Sequence, residues 1–142
     1  MAERLSAEDP DVKDTLAWLL ATCPDPQCRD AKRAVDLVKT LVERAPQEGS
    51  YRSTLGAAYF GTGDYPAAVR ALEEAVRLPN GQIVVALYFL AMAHWQLGQK
   101  ELARNCYHQA VTHMELRKAR SAETRRFRLE TEKLLGITGQ GK

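Results

Sequence analysis

The sequence is short of the residues that carry covalent chemistry, and each shortage removes a class of function. It has three histidines and three cysteines in 142 residues. His108 and His113 stand five apart, which places them on different sides of a helix, and His94 falls at a packing position, so no histidine pair is set to hold a metal. Cys23 and Cys28 form a CxxxxC loop with no second cysteine pair elsewhere, which is not the spacing of a zinc site. A loop disulfide and two free thiols both fit that spacing. There is no HExxH, GxSxG or phosphate loop. The acids are spread along polar helical faces beside basic residues, and none form a carboxylate pair in an apolar setting of the kind that shifts a pKa. A non-enzyme is expected, with no cofactor, metal or small-molecule substrate.

Strong charge and long apolar runs are missing too. A net charge of +2 is too small to steer binding to nucleic acid by itself. The longest apolar run, Ile83 to Ala93, is too short to cross a bilayer, and the start Met1-Ala2-Glu3-Arg4 lacks the basic end and apolar core of a signal peptide. These features predict a soluble chain with no membrane partner and favour a cytoplasmic setting over a secreted one, the compartment staying open if the chain is part of a larger protein. The apolar content of 45% and charged content of 27% are those of a globular protein. A chain of this length forms one domain and buries about two-thirds of the surface its unfolded form exposes.

What is present is a hairpin. Between Leu55 and Asn80, Leu55, Ala58 and Tyr59 share one helical face at the i, i+3, i+4 spacing. Gly56 beside them leaves room for a second helix to come close, and Gly63 suits the left-handed backbone that ends a helix. Pro66 fits the first turn of the next helix, where Ala68, Leu72, Ala75 and Val76 make the second apolar stripe.

The hairpin recurs. Thirty-five positions on, Leu55, Gly56, Tyr59, Gly63, Ala68, Leu72 and Ala75 become Leu90, Ala91, His94, Gly98, Ala103, Tyr107 and Ala110, and Ala34, Val38 and Leu41 precede Ala68, Leu72 and Ala75 by thirty-four. With LGxxY, then GDY, then a small residue, a bulky one and Ala, the chain resembles the tetratricopeptide repeat family, whose unit is about 34 residues. The match covers roughly residues 10 to 115 and is strongest in the second and third repeats. It departs from the family pattern where the large aromatic early in the first helix is replaced by the neighbours Tyr51 and Leu87, and where His94 stands for Tyr59. The order LAWLLATCPDP, AP, LAMAHWQLG is also similar to arrays in large bacterial multidomain proteins, which implies a module of a longer chain.

The resemblance implies an all-α, right-handed superhelix of three helical hairpins, over about 10–46, 49–80 and 83–115, closed by a capping helix over about 121–135. Phe127, Leu129, Leu134 and Leu135 are the inward candidates of that last helix. Residues 1–9 read as a frayed start, and 136–142 as a loose, glycine-rich tail. The family carries its ligand on the concave face, lined by the first helix of each repeat. Carried onto this chain, the groove positions are Asp14, Trp18, Ser53, Ala57, Phe60, Tyr88, Met92, Trp95 and Gln96. Relatives that grip a C-terminal carboxylate use Lys, Asn and Arg there, and this chain has Asp14, Trp18, Val85 and Phe89 at several such places. The implied partner is a protein or peptide segment with apolar or aromatic side chains.

The same aromatics also suit packing between adjacent first helices, or burial against a neighbouring domain or a second copy in a homodimer. The sequence leaves these open. The basic stretch Arg117 to Arg128 raises nucleic-acid binding as an alternative, but Glu115, Glu123, Glu130 and Glu132 interleave it as they would on a solvated helix face.

Overall fold

The computed structural model describes residues 9–117 and 121–137. The first eight residues of the expected frayed start, and the tail from 138 on, lie outside the described residues. Among the described residues there are seven helices and no strand: α1 Pro10–Thr22, α2 Ala31–Arg44, α3 Gly49–Thr62, α4 Tyr65–Arg77, α5 Ile83–Gln96, α6 Lys100–Arg117 and α7 Ala122–Leu135. The all-α helical-repeat expectation is met.

The helix starts follow from short polar side chains at the right places. Asp9, Asp30, Asp64 and Ser121 each accept a backbone N–H from the first turn of α1, α2, α4 and α7. Each covers an N–H that has no partner inside its helix, a contribution of about 1 kcal/mol per cap. Pro10 and Pro66 sit in first turns, where a missing N–H costs nothing. The helix ends are equally local in origin. Gly63, Gly98 and Gly136 close α3, α5 and the last helix, α7, with φ of 87°, 80° and 75°. That region favours glycine because other residues crowd their own carbonyl there.

Helices joined by short turns pack as antiparallel pairs: α1 on α2, α3 on α4, α5 on α6. The expected close approach at Gly56 is present. A β-carbon there would lie 2.4 Å from Cγ of Leu72, and Leu72 is wholly buried. Between hairpins, Ser53 Oγ donates to the Gly81 carbonyl and the Gly49 N–H donates to the Pro79 carbonyl at 2.9 Å, tying the α4–α5 turn back to α3. The core is therefore one continuous cluster running from Ala17 to Leu135.

Helix α5 is the centre of the molecule. It is buried on all sides from Val84 to His94, because α3, α4, α6 and α7 all pack against it. An all-round apolar helix is what such a position requires.

The last helix, α7, ends as α3 and α5 end, and not as α1 does, which stops at Cys23 without a glycine. The N–H of the residue after each terminal glycine returns to a carbonyl five residues back: Asp64 to Tyr59, Gln99 to His94, Ile137 to Glu132, at 3.1, 2.9 and 2.8 Å. In that register Leu129 takes the place of Gly56 and Ala91, and Glu132 the place of Tyr59 and His94. α7 is thus built as the first helix of a further repeat. Its packing differs from theirs, since it lies mainly on α5 and only lightly on α6.

Candidate functional site: the concave aromatic face

The first helices α1, α3 and α5 bring Trp18, Phe60 and Phe89 together. Trp18 meets Phe89 edge to face with ring centres 6.1 Å apart, and Phe60 meets Phe89 at 5.7 Å. Phe127 of α7 completes the cluster, 4.8 Å from Phe89 and 5.9 Å from Trp18. Tilted and edge-to-face pairs of this kind each contribute about 0.5–1.5 kcal/mol beyond the area they bury. Trp18 and Phe60 stay half-buried while Phe89 and Phe127 are covered. Beside them a cleft of about 330 Å³ is lined by Thr22, Arg29, Phe60, Phe89, Arg126 and Phe127 among others.

Polar groups fasten the rim of this face. Trp18 Nε1 donates to Glu123 Oε2 at 2.6 Å, across 105 positions of sequence. Arg126 donates to the Thr22 carbonyl and also pairs with Glu130 at 3.0 Å. On the α6 side, the Tyr107 hydroxyl donates to Glu132 Oε2 at 2.5 Å and Arg128 Nε donates to the same oxygen at 2.8 Å. Burial and the hydrogen bond to Glu132 push the Tyr107 phenol up to about 12.

The expected groove residues divide into two sets. Trp18 and Phe60 meet at the concave face through Phe89. Asp14 is half-buried further up α1, and its Oδ1 is enclosed without a hydrogen-bond partner. Burial raises its pKa, the neighbouring Thr54 offsets part of the rise, and the charges of Asp11 and Glu48 add to it. Trp95 is half-buried beside the α5–α6 turn, with Lys100 Nζ 4.8 Å and the Arg104 guanidinium 5.8 Å from its ring centre, and Gln96 is exposed next to it.

Ser53, Ala57, Tyr88 and Met92 do not line an open groove. All four are buried. Ser53 is spent on the Gly81 carbonyl, and Tyr88 has no exposed surface, its hydroxyl 3.2 Å from Met114 Sδ and its ring 6.2 Å from that of Tyr107. The physical reason is that α3, which carries Ser53 and Ala57, and α5, which carries Tyr88 and Met92, each pack against four other helices, which turns their groove side into core. Glu123 and Arg126 are the residues at this face that the repeat pattern did not point to, while Phe89 stood at a position where relatives carry carboxylate-gripping residues. The only sequence signal for Glu123 and Arg126 is charge in a stretch read as solvated.

Other expectations resolve in the same way. The three cysteines are free thiols, so the open choice at Cys23 and Cys28 falls to the unbridged form. His94 Nδ1 is 2.7 Å from Gln99 Oε1 and the residue is buried, a packing histidine. Within the basic stretch Arg126 is paired with Glu130 and Arg128 with Glu132. Among the described residues no group of three or more His, Cys, Asp or Glu is placed to hold a metal ion, and no helix is long and apolar enough to cross a membrane.

A tetratricopeptide repeat model matches residues 29–83 and, overlapping them, 53–113. The chain belongs to the tetratricopeptide repeat family. Members of this family generally mediate protein–protein interactions and are typically non-catalytic. No curated protein matches the chain. As a tetratricopeptide repeat protein it carries its repeat signature in Gly56, Gly63, Ala68, Leu72 and Ala75, all of which serve helix packing or helix ends. The aromatic cluster of Trp18, Phe60 and Phe89, with Phe127 of α7 against it, lies outside that signature.

Proposed function

We propose that the chain is a non-catalytic protein-interaction module that takes a partner segment on its concave face, against Trp18 and Phe60, with Asp14, Trp95 and Gln96 further along the first helices. The observation that carries this reading is the meeting of Trp18, Phe60 and Phe89 beside an open cleft. Phe60 is half-buried at that cleft and Trp18 is half-buried on the other side of Phe89; aromatics are enriched in interface cores, and tryptophan at binding hot spots. The mixed lining of Arg29, Arg126 and three phenylalanines suits a protein segment with apolar side chains flanked by charge. Ser53, Ala57, Tyr88 and Met92 support the face from beneath.

Site-specific photo-crosslinking in the source cell tests this. A benzophenone side chain in place of Phe60 is expected to trap a partner, while the same group in place of Leu102, exposed on α6, is expected to trap none. Equal trapping from both positions, or trapping from Leu102 alone, removes the concave face as the binding surface.

A further inference from the structure

α7 lies on the concave face in the manner of a bound ligand. Trp18 of α1 meets Glu123 and Phe127, and the Thr22 carbonyl meets Arg126, so side chains of α7 reach across to those of α1. Its inward face is Thr124, Phe127, Thr131 and Leu135, all buried, and Phe127 fills the space between Trp18 and Phe89. One helix of this chain thereby shows which side chains the face accepts.

The attachment of α7 carries more hydrogen-bonded charge than that of the hairpin helices. Those meet mainly through buried small and apolar side chains, such as Gly56 on Leu72, with Lys100 and Arg104 over Trp95 at one edge. α7 is joined by the Trp18–Glu123 and Arg126–Thr22 hydrogen bonds at its edge and by Glu132, a nearly buried carboxylate held by Tyr107 and Arg128. Burying a carboxylate costs desolvation that its partners repay only in part, so such a contact holds less firmly than an apolar one of equal area. Leu129 adds to the contrast. It stands 62% exposed at the position where Gly56 and Ala91 receive a second helix, and among the described residues no helix packs on that side of α7. Elements with few apolar contacts on few neighbours open before the global fold does.

We infer that the concave face binds an amphipathic helix of a partner protein bearing the pattern of α7, a carboxylate four residues before a buried phenylalanine with small and leucine residues at the next two inward turns, and that α7 holds this seat until the partner displaces it. The inference rests on the concave face being the binding surface. The partner's carboxylate takes the Trp18 indole N–H and its phenylalanine takes the place between Trp18 and Phe89. Because the seat is occupied, the partner's apparent dissociation constant equals its intrinsic one divided by the fraction of molecules with α7 displaced.

The probe is a fluorescent synthetic peptide of residues 121–137, titrated by anisotropy into the full chain. Weakening α7 in the chain by Phe127→Ala is expected to tighten peptide binding by about tenfold or more, since the open fraction rises. The same change in the peptide is expected to abolish binding. Equal affinity of the unchanged and Phe127→Ala chains, or no binding to either, overturns the inference. If circular dichroism shows the Phe127→Ala chain unfolded, hydrogen exchange on the unchanged chain decides instead. α7 amides are expected to exchange well before those of α5, and exchange in step with α5 overturns the inference. A chain whose α7 is exchanged between two copies, seen as a dimer in sedimentation, also overturns it. Failure here with trapping still specific to Phe60 leaves the binding face standing. Peptide binding without such trapping removes the face as the cellular site.

Discussion

The hydroxyl of Tyr107 on α6 donates a 2.5 Å hydrogen bond to the carboxylate of Glu132 on α7, and Arg128 donates to the same oxygen at 2.8 Å. This triangle is the polar fastening between α7 and the third hairpin. Its members are local on each helix, and it exists only because two helices meet.

Tyr107 ties that fastening to alkaline pH. Its folded-state pKa, about 12, lies above the ordinary 10.0 of an unfolded tyrosine. A group whose pKa rises on folding adds stability that is fully present below pH 10 and is lost as the pH climbs through about 12. Tyr107→Phe is expected to destabilise the chain by about 1–3 kcal/mol at neutral pH, because it removes a bond to a charged acceptor. It is also expected to flatten the loss of stability above pH 10. Urea unfolding at pH 7 and at pH 10 to 11 measures both, and equal slopes against pH for the two chains contradict the assignment.

Gly56 decides between two opposed effects of one methyl group. Alanine is the better helix former by about 1 kcal/mol, but its β-carbon would sit 2.4 Å from Cγ of the wholly buried Leu72. Overpacking of this kind costs about 1–3 kcal/mol. Gly56→Ala is therefore expected to lower the urea midpoint with its slope unchanged. A raised midpoint means that α3 and α4 slide apart freely at this crossing.

Asp14 adds a second pH dependence of the same sign, in the acid range. Burial holds its carboxyl pKa above the ordinary 3.8 of an aspartate, so its folded form binds a proton more readily than the unfolded form. The stability it contributes is present below pH 3.8 and lost as the pH rises through its folded value. Asp14→Asn is expected to stabilise the chain at pH 7, by less than about 1 kcal/mol because the side chain is only partly removed from water, and to bring no gain below pH 3.8. Thermal melts at pH 7 and pH 3 compare the two. Destabilisation at pH 7 shows that the ionised carboxylate has a stabilising partner.

Much of the architecture was legible in the sequence because it rests on local causes. A capping aspartate, a first-turn proline and a glycine at positive φ act within a few residues, and small residues at a fixed repeat announce where helices cross. The aromatic stripe was legible as a stripe, and Trp18 and Phe60 do share a face. Its openness was not. Tyr88 and Met92 read as groove lining because the repeat register places them there, and they are core because α5 has neighbours on every side. Glu123 and Arg126 read as solvated charges because their partners, Trp18 and Thr22, lie about a hundred residues away.

The amino-acid order by itself determines that this chain forms helical hairpins and that they stack, since caps, glycines and apolar periodicity depend on near neighbours and on a repeat that any single unit displays. The tertiary structure alone decides what the stack presents to a partner. Whether an aromatic is surface or core depends on the last helix folding across the first, an arrangement built from contacts between α1, α5 and α7 for which no local pattern carries a mark.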